Sequence, residues 1–254
     1  MTTTISIATH KGGAGKTVTA MALSAALARA GYPTLLLDLD PQGHCTLGLG
    51  VRLENHSPTL RDIFTDPPVP VASVIRETHI PSLHIIPSNI RLERMAHAIY
   101  SRPKREELLK KTLQPVAKNY RFLIADCPPS LGALTENAIA AADLVVIPCQ
   151  MEARAADALV DLLELIHIIK GKGFTDWRIL ITRFDSRKSL TNQAIGEALA
   201  QWQDHHFKTV IPQSESINQA QIAQTDIFSF NGTSKGAQAY QTLSLEEVLP
   251  YGIK

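Results

Sequence analysis

The segment HKGGAGKTV, residues 10–18, holds two lysines and three glycines. Glycines without side chains let backbone N–H groups surround a phosphate, and the N-terminus of a following helix adds partial positive charge. The last three residues of GAGKT fit the end of the pattern G-x-x-x-x-G-K-[ST], in which the lysine neutralises the β- and γ-phosphates and the hydroxyl ligates Mg²⁺. The residues that carry this prediction of a phosphate site are Gly12, Gly13, Gly15, Lys16 and Thr17.

A second lysine in this loop needs its own explanation. The pattern requires one lysine, and His10 stands where its first glycine would be. Lys11 precedes the glycines on the outer part of the loop, so its side chain need not fold onto the same phosphate. Taken by itself, Lys11 is either a solvated lysine or a cation that serves a different phosphate.

Carboxylates end two of the apolar segments. Asp38 and Asp40 end LLLDLD, and Asp126 ends RFLIAD. A carboxylate one water away from a γ-phosphate can orient the attacking water, so one of the first pair can face that phosphate while the other supports the loop or the metal. The alternative is that both simply cap a strand end. Asp126 fits the Walker B arrangement, in which a carboxylate at the edge of the sheet holds the Mg²⁺ shell. The predicted metal ligands are Thr17, Asp40 and Asp126.

Short apolar segments alternate with helical patterns, which predicts an α/β fold with a doubly wound, mostly parallel sheet flanked by helices, in a single domain over residues 1–254. Strands that are buried on both faces are apolar almost throughout, as these are. The predicted strands are TISIAT, PTLLLD, LHIIPS, RFLIAD, DLVVIPC and WRILIT. The predicted helices span about 16–30, 103–118, 133–141, 154–171, 189–203 and 234–248, with a short helix near 59–64 inside the irregular region 51–82.

Composition narrows the function further. The net charge of +1 provides no global field for nucleic acid or membrane, so any DNA binding requires a local patch. Three scattered cysteines, Cys45, Cys127 and Cys149, indicate neither a disulfide framework nor a zinc site, which suits a reducing cytoplasm. No apolar segment reaches the length of roughly 18 residues that a membrane span requires, and no signal peptide is evident.

The motif K-G-G-x-G-K-T resembles the deviant Walker A motif of the ParA/MinD superfamily, and D-x-D-P-Q-G and D-C-P-P-S-L-G resemble the switch segments of its partition ATPases. The resemblance implies that Lys11 reaches across a dimer interface to the partner's nucleotide, and that Asp40 positions the attacking water. His44 departs from the asparagine of the family pattern. The implied catalytic residues are Lys11, Lys16 and Asp40, and Lys11, Ala14 and Val18 join the predicted nucleotide-binding residues.

The resemblance continues through T-x-x-D-x-R, V-I-P and S-K-G-A-x-A-Y, and so covers nearly the whole chain. It implies that Pro212 lies by the adenine and that basic residues of the C-terminal third line a DNA-binding surface. Family members commonly carry arginines just after V-I-P, whereas this chain has Gln213 and Ser216. A solvated helix face is the alternative for each cation. The predicted DNA-binding residues are Arg183, Arg187, Lys188, Lys208 and Lys235.

The function implied by the resemblance is an ATP-dependent partition ATPase that needs ATP and Mg²⁺. It would form a homodimer on ATP binding, bind non-specific DNA over the nucleoid in the cytoplasm, and hydrolyse ATP when a ParB-like partner stimulates it. An N-terminal helix-turn-helix domain is not expected, and the acidic tail LEEVLPYGIK does not favour membrane attachment. The alternatives are a cargo-positioning relative for a carboxysome or chemoreceptor cluster with its own adaptor, a metabolic or assembly ATPase without a DNA surface, and a regulatory dimer that hardly hydrolyses ATP.

Overall fold

The computed structural model describes residues 1–253, and seven strands form its central sheet. The strands are β1 (Thr3–Ile7), β2 (Thr34–Asp38), β3 (Arg76–Glu77), β4 (Leu83–Ile86), β5 (Phe122–Asp126), β6 (Leu144–Gln150) and β7 (Trp177–Thr182). Their order in the sheet is β3-β4-β2-β5-β1-β6-β7, and only the pairing of β3 with β4 is antiparallel. The doubly wound, mostly parallel sheet predicted from the sequence is therefore confirmed.

Helices connect these strands on both sides of the sheet. The α-helices are α1 (Lys16–Arg29), α2 (His44–Gly48), α3 (Arg91–Ile99), α4 (Leu108–Ala117), α5 (Ala133–Ala141), α6 (Ala155–Lys170), α7 (Ser189–Leu199), α8 (Glu215–Ile222), α9 (Ile227–Asn231), α10 (Lys235–Thr242) and α11 (Leu249–Gly252). Short 3₁₀ segments span Leu60–Phe64, Val71–Ser73, Arg105–Glu107 and Ala200–His205, and a π-helical segment spans Leu243–Val248. Among residues 1–253, none of the helices combines the length and the apolar character that a bilayer span requires.

Alternate strand residues pack into two separate cores. Leu35 and Leu37 of β2 belong to one buried cluster and Leu36 belongs to the other, because successive side chains of a strand point to opposite faces. The first cluster includes residues of α4, α5 and α6, and the second includes residues of α1 and α10. Burial on both faces explains why the strands are apolar almost throughout.

All six predicted strands are present, whereas five helices, α2, α3, α8, α9 and α11, were missed, and two of them are longer than five residues. The first is α3, whose Leu92, Met95, Ala96 and Ile99 follow the i, i+3, i+4, i+7 spacing of an amphipathic helix. Its many charged residues concealed that signal. The second is α8, whose segment is polar and contributes one residue, Ala220, to the fully buried core. Such weak apolar periodicity leaves the decision between helix and loop to tertiary packing.

The parallel arrangement brings the functional segments to one edge. The carboxyl ends of β1, β2, β5, β6 and β7 lie at the same edge of the sheet, since these strands run in the same direction. The glycine-rich loop follows β1, and the acidic residues follow or end β2 and β5. In open α/β sheets, this carboxyl edge is where ligands bind.

Candidate nucleotide-binding site

The glycine-rich loop between β1 and α1 has its backbone N–H groups available. Gly13 and Gly15 adopt φ values of 75° and 90°, in the left-handed region that glycine enters without steric cost. Within residues 1–253, the N–H groups of residues 12–17 make no hydrogen bond. Free N–H groups in such a turn, followed by a helix N-terminus, form an anion-binding concavity.

Two buried side chains hold the carbonyl oxygens of this loop. Gln150, at the end of β6, donates from Nε2 to the Gly13 oxygen at 2.9 Å. Thr182, at the end of β7, donates from Oγ1 to the Ala14 oxygen at 2.8 Å. Because each peptide plane carries its C=O and N–H on opposite sides, fixing the carbonyls fixes the direction of the N–H groups. Sequence reasoning missed both residues. Their one signal was their position at the ends of apolar strands.

Lys16 is the buried cation of the loop. Its Nζ donates to the Lys11 oxygen at 2.9 Å and to the Thr9 oxygen at 3.3 Å. Burial lowers the pKa of Lys16, and the negative charges of Asp126 and Asp40 oppose that shift. The ammonium is therefore held over the loop, ready to neutralise an anion there.

The side chain of Lys11 extends toward Glu152 and not into the cavity at the loop. Its Nζ forms an ion pair with Glu152 Oε2 at 2.7 Å, and both side chains are partly exposed. The hydrogen bond from Lys11 lowers the pKa of Glu152. Neighbouring His10 lies 3.4 Å from Asp161 through its Nδ1. Among the described residues that line the large cavity at the loop, Lys11 is absent, although Gly12, which follows it, is present.

Two buried carboxyl groups lie side by side at the ends of β2 and β5. Asp38 and Asp126 occupy paired positions in the sheet. Thr46 donates to Asp38 Oδ2 from its backbone N at 2.8 Å and its hydroxyl at 2.7 Å, and Cys45 Sγ donates to Asp126 Oδ2 at 3.2 Å. Burial raises the pKa of Asp38 to about 8, and it raises that of Asp126 to about 6 against hydrogen bonds from Cys45 and Thr17. Asp38 thus supports the segment after β2, while Asp126 lies beside Thr17.

Asp40 lies two residues beyond the end of β2 and lines the same cavity as Lys16 and Thr17. Its Oδ1 accepts a hydrogen bond from the backbone N of Gln42 at 2.9 Å, and the residue is 8% exposed. The Gln42 contact holds the carboxylate in one orientation. A nearly buried carboxylate beside two phosphate-site residues is well placed to orient a water.

The cavity has a volume of about 770 Å³ and extends from the phosphate loop to the segment after β7. That segment runs beside β7, since Ile211 N donates to the Ile181 oxygen at 2.9 Å and Phe184 N donates to the Ile211 oxygen at 3.0 Å. Pro212 lines this cavity as well. Its contact with a base stays a prediction.

Comparison with known proteins identifies the family. The model of the AAA_31 family, described as an AAA domain, matches residues 2–181. The chain is 38% identical to the sporulation initiation inhibitor protein Soj of Bacillus subtilis, over 95% of this chain and 96% of Soj. The chain belongs to the Soj/ParA family of P-loop ATPases. It is also 35% identical to the chromosome partitioning protein ParA of Myxococcus xanthus, over 95% of this chain and 86% of that protein.

A solved structure similar to this ATPase contains a nucleotide. It is cobyrinic acid a,c-diamide synthase of Mycobacterium smegmatis with a bound ATP analog and magnesium. The TM-score is 0.81 at 28% identity, and the match covers 96% of this chain and 93% of the synthase chain.

The residues of this ATPase fit ATP and Mg²⁺. Unpaired N–H groups of residues 12–17 and the buried Lys16 suit phosphate oxygens, and Asp126 Oδ1 is a buried oxygen without a partner in the described part of the chain. No three His, Cys, Asp or Glu side chains within residues 1–253 form a ready cation site. A single carboxylate, Asp126, beside a phosphate loop suits Mg²⁺, because this ion is commonly held by one or two carboxylates together with substrate phosphates.

The five predicted DNA-binding cations differ in their contacts and in their exposure to solvent. Arg183, at φ 51°, donates from Nη1 to the Gly13 oxygen at 3.4 Å and lines the nucleotide cavity. Arg187 makes two hydrogen bonds to Asp185, at 2.9 and 2.8 Å, which lower the pKa of that carboxyl to about 2. The other three are exposed, Lys188 before α7, Lys208 after β7 and Lys235 at the start of α10. Their role in DNA binding stays a prediction.

Thr182→Val should weaken ATP binding. Valine keeps the shape of threonine but leaves the Ala14 oxygen without its donor, and an unsatisfied buried carbonyl costs about 1 kcal/mol or more. We expect the Kd for a fluorescent ATP analogue to rise roughly fivefold or more. Thr182→Ser keeps the hydroxyl and should bind like the unmodified protein. Equal affinity in both variants would show that this hydrogen bond does not position the loop.

Proposed function

We propose that this ATPase forms a homodimer on ATP binding, binds non-specific DNA and hydrolyses ATP when a ParB-like partner stimulates it. In this way it segregates a plasmid or a chromosome over the nucleoid in the cytoplasm. The observation that supports this proposal most directly is the different placement of the two lysines of the loop. Lys16 is buried over its own phosphate loop, whereas Lys11 lies outside its own cavity at a partly exposed position.

Each site residue has a specific task in this proposal. The loop N–H groups and Lys16 bind the phosphates of ATP, and Thr17 and Asp126 hold Mg²⁺. When bound, MgATP supplies the phosphoanhydride bond that hydrolysis breaks. Asp40 orients a water toward the γ-phosphate and accepts its proton through that contact. A cation from the partner subunit, Lys11, offsets charge on the transferred phosphoryl group, as an arginine finger does.

The relatives support the partition role over a purely metabolic one. Soj and the Myxococcus ParA match nearly the whole chain at higher identity than the cobyrinic acid a,c-diamide synthase does.

The decisive experiment measures DNA retention as a function of nucleotide. We expect a non-specific duplex to be retained on filters at low salt with ATP, and much less with ADP or without nucleotide, because two joined subunits make more phosphate contacts. Lack of retention with ATP would contradict the partition role and favour an assembly ATPase without a DNA surface.

Glu152→Gln should promote ATP-dependent dimerisation. Glutamine is similar in shape but removes the charge that holds Lys11 within its own subunit. Partly exposed ion pairs contribute about 0.2–1 kcal/mol, so we expect dimers to form at a roughly two- to fivefold lower protein concentration. The matched control is Asp161→Asn, which removes a carboxylate from His10 and not from Lys11. Weaker dimers in Glu152→Gln alone would indicate that Glu152 contributes to the interface instead.

A further inference from the structure

Positive charge is concentrated in residues 91–111, which comprise α3, the 3₁₀ segment 105–107 and the start of α4. This segment contains seven Lys and Arg and three Glu, a formal charge of +4, while the whole chain carries +1 and the rest of it therefore −3. We call its cations the α3–α4 basic surface. They are Arg91, Arg94, Arg102, Lys104, Arg105, Lys110 and Lys111.

Most of this charge is not neutralised by other residues of the described range 1–253. α3 buries Leu92 and Ile99, which turns Arg94 toward solvent. Across the described residues, the side chains of four members of the surface have no hydrogen bond or ion pair. These four are Arg94, Arg102, Lys104 and Lys110. Three members do have partners, since Arg91 donates to the Asn55 carbonyl oxygen, Arg105 pairs with Glu136 at 3.1 Å, and Lys111 pairs with Glu107 at 3.0 Å.

Three of these cations, Lys104, Lys110 and Lys111, are close enough to affect the same carboxylate, Glu107. A hydrogen bond and the charge of Lys111 lower the pKa of Glu107, and the charges of Lys104 and Lys110 add to this. At the end of α6, burial lowers the pKa of Lys170, and Lys110 lowers it further. Like charges gathered in this way repel each other, so an external polyanion would be bound favourably.

The cations predicted from the C-terminal third are less available by comparison. Arg187 is held by Asp185, and Arg183 lies on the phosphate loop. Glu247 accepts a hydrogen bond from the backbone N of Lys208 at 2.7 Å, which places a negative charge beside that lysine. The exposed side chains of Lys188, Lys208 and Lys235 make no hydrogen bond or ion pair within residues 1–253, so the C-terminal set has three unpaired cations against four in the α3–α4 basic surface.

We propose that the phosphate backbone of duplex DNA binds across the α3–α4 basic surface, without sequence preference. This inference rests on the proposed function, because it locates the DNA contact of the ATP-bound dimer.

The chemistry of the surface favours DNA over an acidic protein. Protein interfaces rely on apolar and aromatic anchors, and the exposed large hydrophobic residue of the described segment 91–111 is Tyr100. Tyr100 is already engaged, since its hydroxyl accepts a hydrogen bond from Ala133 N at 3.1 Å and Arg105 lies 4.8 Å over its ring. Binding through counterion release requires only exposed cations.

The test compares three double variants that each remove two positive charges. Lys104→Gln with Lys110→Gln alters the α3–α4 basic surface, and Lys188→Gln with Lys235→Gln alters the C-terminal residues. Arg52→Gln with Lys172→Gln is the matched control, because both residues are exposed and lie outside either set. Retention of a non-specific duplex with ATP is titrated over a range of salt concentrations, and thermal melting and ATP-dependent dimerisation confirm that each variant folds and pairs.

Among the three variants, we expect only Lys104/Lys110 to show a weaker salt dependence of DNA binding. The slope of log affinity against log salt should become smaller in magnitude by roughly 0.9 for each lost phosphate contact. A slope equal to that of the Arg52/Lys172 control would overturn the inference and leave the proposed function intact. A reduced slope only in the Lys188/Lys235 variant would overturn it as well, and would place DNA on the C-terminal residues. If the unmodified protein retains no duplex with ATP, the proposed function itself fails.

Competition with polyaspartate tests whether an acidic protein would fit instead. Polyaspartate that competes as well as duplex at equal charge would show that an acidic protein fits the surface equally, and would contradict the assignment to DNA.

Discussion

Lys11→Ala should abolish ATP-dependent dimerisation while the monomer still binds ATP. The side chain lies outside the nucleotide cavity of its own subunit, so its removal should change the monomer's Kd for ATP by no more than a few-fold. In the proposed dimer, two triphosphates face each other and each needs the partner's ammonium. A charge-assisted hydrogen bond contributes about 1.5–3 kcal/mol, and two are lost, so dimer affinity should fall at least roughly 100-fold.

Sedimentation velocity with ATP, ADP and no nucleotide measures this effect. The matched control is Lys16→Ala, which removes the buried cation of the loop and should lose ATP binding itself. Loss of dimers with retained ATP binding in Lys11→Ala, and loss of both in Lys16→Ala, is the expected pair of results. Dimers that persist unchanged in Lys11→Ala would rule out a role in trans and leave Lys11 as a solvated residue paired with Glu152.

Asp40→Asn should stop hydrolysis without stopping dimerisation. Asparagine keeps an oxygen that can accept the hydrogen bond from Gln42 N, so the segment should retain its position, but the carboxylate that orients the water is lost. General-base assistance contributes about 10²- to 10⁴-fold, and we expect kcat to fall by at least roughly 100-fold. Because hydrolysis would no longer separate the subunits, ATP-bound dimers and their DNA complexes should last longer.

Single-turnover phosphate release and the lifetime of the DNA complex are the two measurements. Asp40→Ala removes both the charge and the contact with Gln42, so a larger effect than that of Asp40→Asn would show how much the position of the segment matters. An unchanged rate in Asp40→Asn would mean that another group orients the water. It would then favour a regulatory dimer or a different catalytic residue.

Local patterns were sufficient for the framework of the site. Glycines at positions 12, 13 and 15 predict a phosphate loop because the backbone there must approach an anion closely. Apolar segments with Asp40 and Asp126 at their ends predict two carboxylates at a metal site, because parallel strands end at one edge of the sheet. These inferences depend on residues that lie only a few positions apart in the sequence. Periodicity and motif spacing are patterns over such short separations, so the sequence alone can show them.

The amino-acid sequence by itself thus determined the α/β class, the loop and the acidic edge, while only the tertiary structure decided how distant residues use them. Gln150 and Thr182 reach loop carbonyls 137 and 168 residues away, and Glu152 pairs with Lys11 across 141 residues. Packing likewise turned Arg183 onto the loop. The physical reason is that such contacts are made by folding the sheet, and no local repeat along the chain records which strand ends become neighbours.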